Sequence, residues 1–265
     1  MNLSKKRISK LATLLENSIK KISKYNAAIA FSGGLDSTTL AAISKKFYKP
    51  ILITISASKN AEDLIYAKKV SKELKLPLKV VYIDKKKILQ AYPTVWKIMP
   101  GTLVDLEIMI ATYFICKKAK EEKKEAVIFG SGAEELFVGY NKYFVALGEG
   151  KNLKKILDLE LKTLPKRDIL RIKKIAKIFN LLALFPFMDK KFVKEVKKID
   201  LKFHINKELS KPVLREIAKL FSVPSQVINR KKRALQYGSN VHKICLKLAK
   251  ENKIYALPPR PPFTY

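Results

Sequence analysis

The chain of 265 residues is poor in the residues that build disulfide frameworks and histidine-based metal sites. Its two cysteines, Cys116 and Cys245, form no Cys-x-x-Cys pair, and its two histidines, His204 and His242, have no second ligand at metal-binding spacing. These absences argue against a disulfide-stapled secreted domain and against a zinc site. No apolar run approaches the ~18 residues that a membrane span needs. We therefore expect buried free thiols, a reducing cytoplasm and no membrane partner.

Two common nucleotide-binding signatures are also absent. The chain contains neither Gly-x-x-x-x-Gly-Lys-[Ser/Thr] nor Gly-x-Gly-x-x-Gly after a strand. Residues 32–37 instead read Ser-Gly-Gly-Leu-Asp-Ser, between an apolar segment and a helical pattern. The backbone N–H groups of such a turn and the positive end of the helix dipole suit a phosphate group. This segment therefore predicts a phosphate-binding loop.

Each polar or small residue of this loop has a reason to be there. Gly33 and Gly34 let the main chain approach an anion closely, where a Cβ would clash. Ser32 and Ser37 add hydroxyl groups that can contact phosphate oxygens. Asp36 fits an anion site if a cation such as Mg²⁺ bridges it to the phosphates.

Apolar segments and helical patterns alternate along the first 150 residues. Strands are predicted at residues 26–31, 51–56, 78–83 and 126–130, and the second of these is a nearly continuous apolar run. This alternation predicts an α/β fold with a doubly wound parallel sheet that is covered by helices on both faces. After residue 150 the strand signals fade, so we expect residues 151–256 to be a helical extension of the same single domain. Residues 257–265 are rich in proline and are expected to lie extended on the surface.

Three candidate ligand-binding residues fall where predicted strands end. They are Ser32, Ser56 and Gly130, and ligands of such sheets bind at the carboxyl ends of the strands. Asn60 is expected to cap the next helix, with Asp63 as its capping-box partner. The nucleotide site is therefore expected to combine the loop at residues 32–37 with Ser56 and Gly130.

The charge is strongly unbalanced, with 55 Lys and Arg against 23 Asp and Glu and a formal net charge of +32. Residues 1–150 carry 26 basic and 14 acidic groups, and residues 151–265 carry 29 and 9. Such a field attracts RNA, DNA and acidic small molecules. However, only seven of the 55 basic residues are Arg, and lysine is common on solvated surfaces. Two interpretations remain open, an RNA partner and a lysine-rich surface without one.

Five segments in order resemble known enzymes. Residues 32–37 resemble the pyrophosphate loop of the ATP pyrophosphatases. Residues 130–140 (Gly-Ser-Gly-Ala-Glu-Glu-Leu-Phe-Val-Gly-Tyr), 186–189 (Pro-Phe-Met-Asp) and 211–215 (Lys-Pro-Val-Leu-Arg) resemble segments of the asparagine synthetases of that superfamily. Residues 230–239 are similar to the Arg-x-Lys segment of the same family. They are closer still to the form found in eukaryotic asparagine synthetase domain-containing proteins.

This resemblance implies a fold, an activity and a set of site residues. The fold would be that of the adenine-nucleotide alpha-hydrolase-like (PP-loop) proteins, and the activity that of an AMP-forming ligase that uses ATP and Mg²⁺ to adenylate a small carboxylate. Asp36 and Glu134 would hold the metal, and Glu134 and Lys232 would act in catalysis. Residue by residue, the other interpretations are that Glu134 stabilises a helix N-terminus and that Lys232 is one more surface lysine.

The chain departs from the family pattern at the positions associated with the amino-acid substrate. Ser131 stands at the position that usually carries a catalytic acid. Leu182 and Leu184 replace the Glu and Arg that normally precede Pro-Phe-Leu-Asp, and two leucines cannot recognise a zwitterion through ion pairs. ATP activation is therefore expected to be retained, whereas aspartate as the substrate is in doubt.

Two rival functions and the source of nitrogen stay open. One rival is a tRNA-modifying ATP pyrophosphatase, and the other is an ATP-binding subunit or regulator without full synthetase activity. Position 2 is Asn2 and not the nucleophilic Cys of a glutaminase module, so we expect no glutaminase domain. Nitrogen would then come from free ammonia, a separate glutaminase subunit or another amine.

Overall fold

A computed structural model describes residues 3–206, 208–230 and 240–258. Its centre is a sheet of five strands in the order β3-β2-β1-β4-β5. All neighbouring strands are parallel. The strands are β1 (Ala27–Ala30), β2 (Ile51–Ser56), β3 (Leu78–Tyr82), β4 (Ala126–Ile128) and β5 (Leu182–Leu184). The predicted α/β fold with a parallel sheet is confirmed, and the first four predicted strands are present.

Helices cover both faces of this sheet. The α-helices of the described residues are α1 (Lys5–Ile22), α2 (Leu35–Ser44), α3 (Glu62–Glu73), α4 (Lys85–Ile98), α5 (Leu103–Glu121), α6 (Ala133–Leu136), α7 (Asn141–Gly148), α8 (Leu153–Thr163), α9 (Asp168–Ile178), α10 (Lys190–Val196), α11 (Pro212–Lys219), α12 (Ser225–Ile228) and α13 (Val241–Lys250). Short 3-10 helices lie at Leu164–Lys166, Pro186–Met188 and Leu201–Phe203.

The side chains of the sheet divide between two hydrophobic cores. In β1, Ala27 and Ile29 pack with α1, α2 and α11 on one face, while Ala28 packs with α4, α5 and α9 on the other. In β4, Ile128 belongs to the first core and Val127 to the second. Because successive residues of a strand point to opposite faces, a strand buried on both sides must be apolar throughout. This explains the unbroken apolar runs of the sequence.

The region after residue 150 contributes more than helices. The described part of residues 151–256 is mainly helical, but β5 also lies there and pairs with β4 through Val127 and Ala183. The sequence interpretation did not include this fifth strand. Its three residues, Leu-Ala-Leu, are too few to show an alternating or continuous strand pattern. Pairing with an existing sheet edge therefore decides their conformation.

One predicted helix cap is wrong. Helix α3 begins at Glu62 after Ala61, and no side chain caps it. Asp63 is instead turned toward Arg230, whose Nη2 lies 2.9 Å from its Oδ1. A distant cation thus binds the carboxylate that the local pattern assigned to the helix end.

None of the described helices is both long and apolar enough to cross a membrane.

Candidate functional site

In the loop between β1 and α2, the close backbone approach that Gly33 permits is to helix α3. Gly33 has φ +73, and a Cβ there would lie 3.0 Å from Cα of Ala67 in α3. Gly34 is the N-cap residue of α2, and its N–H donates to Ser32 Oγ over 3.2 Å. Ser37 Oγ donates to the Gly34 carbonyl over 3.3 Å. Both serine hydroxyls thus form hydrogen bonds within the loop, at the N-terminus of the ten-residue helix α2. The N-terminus of a helix attracts anions.

Two acidic side chains meet at one buried lysine beside this loop. Lys211 Nζ lies 2.8 Å and 2.6 Å from the two carboxylate oxygens of Asp36 and 2.9 Å from Glu134 Oε1. Asp36 comes from the first turn of α2, Glu134 from α6 after β4, and Lys211 from the residue before α11. The two carboxylates that the resemblance grouped are therefore brought together. Sequence interpretation gave no role to the cation between them.

The charge state of Lys211 follows from this arrangement. The side chain is 4% exposed, and burial alone lowers the pKa of an ammonium group. The charges and hydrogen bonds of Asp36 and Glu134 outweigh burial, so the pKa of Lys211 is raised above its ordinary value. Lys211 is therefore a fixed cation at neutral pH, and it compensates part of the negative charge of the two carboxylates.

The backbone around this cluster is tightly constrained. Lys211 has φ +61, in the left-handed region that residues other than glycine rarely adopt, and Pro212 follows it. Gly139 lies against the cluster, and a Cβ at Gly139 would overlap both Glu134 and Lys211. The glycine of the Val-Gly-Tyr segment is thus needed for a close approach. Gly139 is therefore the residue from which the sequence could have indicated close packing around Glu134.

A cavity of about 380 Å³ opens beside the loop and the lysine. Six of the predicted site residues line it, together with Lys211. They are Ser32, Gly34, Asp36, Ser37, Gly130 and Glu134. Gly33 and Ser56 are not among the described lining residues. Gly33 packs against α3, and Ser56 Oγ donates to the Ser58 carbonyl over 2.7 Å. Lys232 lies outside the described residues, so its role stays a prediction.

The donor set suits a magnesium ion bound together with phosphates. Asp36 and Glu134 offer the hard carboxylate oxygens that Mg²⁺ prefers, and Mg²⁺ usually takes one or two carboxylates and fills its shell with phosphate and water. Among the described residues, no three His, Cys, Asp or Glu side chains are grouped to hold a metal by themselves. The residues present therefore fit a metal that arrives with a nucleotide. Such a metal would share the carboxylates with Lys211.

Two arginines from the segments that carry the resemblance, to which we assigned no role from the sequence, lie at the same edge of the cavity. Arg215 donates through Nε to the Ser210 carbonyl (2.7 Å) and through Nη2 to the Arg230 carbonyl (3.1 Å), and it also donates to the Ile228 carbonyl. The Arg230 guanidinium lies 3.9 Å from the centre of the Tyr66 ring. Arg215 therefore fixes the backbone that leads into the segment containing Lys232.

Glu135, next to Glu134, is in a different environment. Its side chain is buried, and burial raises its pKa to about 7, with a smaller contribution from the charge of Glu134. Its backbone N–H opposes this shift. Lys211 contacts Glu134, whereas burial dominates the environment of Glu135.

The three positions that depart from the family pattern lie in different parts of the structure. Ser131 lines the cavity. Leu182 and Leu184 lie in β5, where Leu182 is exposed and Leu184 packs against the core on the α1 face. Neither leucine is among the described lining residues.

Comparisons with known proteins agree on one family. The family model described as Asparagine synthase matches residues 10–156 and 146–253. The chain is 26% identical to a Methanocaldococcus jannaschii protein described as a putative glutamine-hydrolyzing asparagine synthetase, over 89% of this chain and 50% of that protein. It is 25% identical to asparagine synthetase B of Escherichia coli (87% and 45%). It is 24% identical to an asparagine synthetase domain-containing protein of Saccharomyces cerevisiae (88% and 53%).

The chain thus spans about half the length of the curated relatives that it matches. Among solved structures it is similar to an NH3-dependent NAD synthetase from Campylobacter jejuni, with 20% identity and a TM-score of 0.38 over 72% of this chain and 90% of that chain.

Proposed function

Because the chain belongs to the asparagine synthase family, we propose that it is an ATP-dependent ligase that adenylates a small carboxylate and passes the acyl group to ammonia or another amine. The observation that carries this proposal is the meeting of Asp36, Glu134 and Lys211 beside the loop at residues 32–37. Phosphate binding, metal binding and charge neutralisation are all needed at one point of the reaction. The site offers groups for each of them.

In the first step, a carboxylate oxygen of the substrate attacks the α-phosphorus of ATP, and the bond to the bridging oxygen of pyrophosphate breaks. Negative charge develops on the departing pyrophosphate. The N–H groups of the loop, the N-terminus of α2 and the ammonium of Lys211 are positioned to stabilise that charge. Asp36 and Glu134 would hold Mg²⁺, which when bound neutralises phosphate charge as a Lewis acid.

In the second step, the amine nitrogen attacks the acyl carbon, AMP leaves, and the nitrogen loses a proton to form the amide. Lys232, at the family's active-site lysine, would act in the first step as a second cation beside the phosphates of ATP. The support for this role is the match to the family's lysine. Arg215 binds the backbone carbonyls of Ile228 and Arg230, which lie four and two residues before Lys232.

The nitrogen source and the acid are the open parts of this proposal. A separate glutaminase subunit, free ammonia and another amine are all compatible with the chain. The Glu and Arg of the family pattern are replaced by Leu182 and Leu184, which speaks against aspartate. An RNA partner stays a prediction from the net charge alone, since none of the comparisons given above supports it.

The test is ATP–pyrophosphate exchange with Mg²⁺, measured across amino acids, other carboxylates and bulk tRNA. We expect exchange that depends on one class of carboxylate and that Asp36→Asn abolishes, because Asn keeps the shape of the side chain without its charge. Stimulation by tRNA alone would favour the tRNA-modifying alternative. Tight ATP binding without exchange for any acid would favour the ATP-binding subunit or regulator.

A further inference from the structure

One wall of the cavity is apolar, and the phosphate chemistry does not use it. Helix α5 presents Val104, Ile108, Ala111 and Ile115 to the cavity. This spacing of four, three and four residues places them on one face of the helix. Thr112 also lines the cavity, but its hydroxyl donates to the Ile108 carbonyl over 2.8 Å. The face is therefore without a free polar group from these side chains.

This wall is partly uncovered at one end. Val104 is 41% exposed and Ile108 is 39% exposed, whereas Ala111 and Ile115 deeper along the helix are buried. Ile172 of α9 and Phe129 after β4 complete the wall. A ligand that covers such apolar surface removes it from water, which lowers the free energy of the complex.

The apolar wall and the phosphate loop line the same cavity. The phosphate loop follows β1, which lies between β2 and β4 in the sheet. Ile55 of β2 and Asp63 of α3 line the cavity on one side of the loop, and Phe129 and Glu134 after β4 line it on the other. Helix α5, which carries the wall, packs against β2, β3 and β4, and the KM for ATP of variants in the wall therefore decides whether the wall contacts the acid or the adenine.

The charged residues that line the cavity disfavour a substrate that carries a second charged group besides its reacting carboxylate. Each charged residue among the described lining residues already forms an ion pair or a hydrogen bond with another residue of the protein. These residues are Asp36, Asp63, Glu134, Lys211, Arg215 and Arg230. An acid with an additional ammonium or carboxylate group would need a charged partner of its own, since an unpaired charge in a closed site is costly.

From the proposed function we infer that the substrate of this site is a monocarboxylic acid with an uncharged, apolar body, which packs against Val104 and Ile108 of α5. The carboxylate faces the α-phosphate near the loop, and the body covers the exposed end of the wall. Each methylene that packs on the wall is expected to raise kcat/KM about fourfold until the wall is covered.

The experiment compares butanoate, hexanoate, octanoate and phenylacetate with aspartate, glutamate and succinate. Each acid is measured by ATP–pyrophosphate exchange and, separately, by calorimetric binding in the presence of a non-hydrolysable ATP analogue. Val104→Thr and Ile108→Thr add a hydroxyl to the wall, and Val104→Thr keeps its volume. Ile65→Thr in α3 is the matched control, because Ile65 is 58% exposed and is not among the described lining residues.

We expect the apolar acids to exceed the dicarboxylates at least tenfold in kcat/KM. The two wall variants should lower kcat/KM for the apolar acids about tenfold without changing KM for ATP, and Ile65→Thr should change neither. Exchange with a dicarboxylate but not with an apolar acid overturns this inference and leaves the proposed function standing. A raised KM for ATP in the wall variants also overturns it, because the wall would then bind adenine.

Absent exchange separates the two claims. If no acid supports exchange, but hexanoate or octanoate binds and the wall variants weaken that binding, the proposed function fails and the ligand class stands. If no acid supports exchange and no apolar acid binds, both are overturned.

Discussion

Two buried cations of this protein each contact two carboxylates, but they lie at different positions in the fold. Lys211 contacts the carboxylates of Asp36 and Glu134 at the edge of the cavity. Arg171 of α9 contacts Asp105 of α5, with Nη2 3.2 Å from Oδ2, and Asp168, with Nη1 3.3 Å from Oδ1. Both cations are almost fully buried, and each has two carboxylate partners.

The two clusters differ in whether their charged side chains line the cavity. The carboxylates around Lys211 line the cavity, whereas Asp105, Asp168 and Arg171 are not among its described lining residues. Asp105 has a further structural task, because it accepts the Thr102 N–H over 3.0 Å in the capping box that begins α5. A buried ion pair is therefore no sign of function by itself. Access to a ligand separates the two.

The largest effect is expected at Lys211. Lys211→Met removes the ammonium that faces the phosphate site and leaves two carboxylates without this partner. We expect ATP–pyrophosphate exchange to fall about 10³-fold, the size of effect seen when one preorganised charge-stabilising donor is lost. Exchange is measured on protein whose folding is verified by circular dichroism. Exchange within threefold of wild type would show that Lys211 is only structural.

At Arg171 the expected loss is in stability. Arg171→Met removes the cation that contacts Asp105, a carboxylate that is 16% exposed, and we expect a loss of up to about 3 kcal/mol, the low end for breaking a buried pair. Denaturant unfolding should report this cost, while exchange per folded molecule should stay within about threefold of wild type. Full stability with lost exchange would contradict the distinction drawn between the two cations.

Glu135 tests what happens to a buried carboxyl group that forms no ion pair among the described residues. Its pKa is about 7 in the folded chain against 4.5 as the ordinary value. Because the folded state keeps the proton, this group stabilises the fold at pH below 4.5, and the contribution is lost as pH rises through 7. The free energy of unfolding of wild type minus that of Glu135→Gln should therefore fall by roughly 2–3 kcal/mol between pH 5 and pH 8.

Denaturant unfolding of both proteins at several pH values measures this difference. Because the other titratable groups are the same in the two proteins, their contributions cancel in the subtraction. A difference that stays constant across that range would mean that Glu135 is ionised in the folded protein.

The smallest effect is expected for an exposed pair. Lys219 and Glu216 of α11 form an ion pair in which both side chains are about half exposed. Lys219→Met should change the free energy of unfolding by no more than about 0.5 kcal/mol, because water screens such pairs. It is also the matched lysine-to-methionine control for Lys211. A loss comparable to that of Arg171→Met would remove burial as the explanation of the contrast.

Much of the fold follows from short segments of sequence. β2 was predicted at its observed bounds because its apolar run is long enough to be unambiguous. β5 was missed because three residues carry no period. Asp63 was assigned to a helix end because local patterns cannot include a cation from residue 230.

The amino-acid sequence by itself predicted the glycine-rich turn at residues 32–37 between a strand and a helix, since its glycines and hydroxyls act through their own backbone and the helix that follows. It also determined the family, through segments that keep their order along the chain. Only the tertiary structure decided that Lys211 lies between Asp36 and Glu134, that Arg171 does not reach the cavity, and that the α5 face lines it. Charge pairing and cavity shape depend on distances between residues far apart in sequence, and those distances exist only after the sheet has assembled.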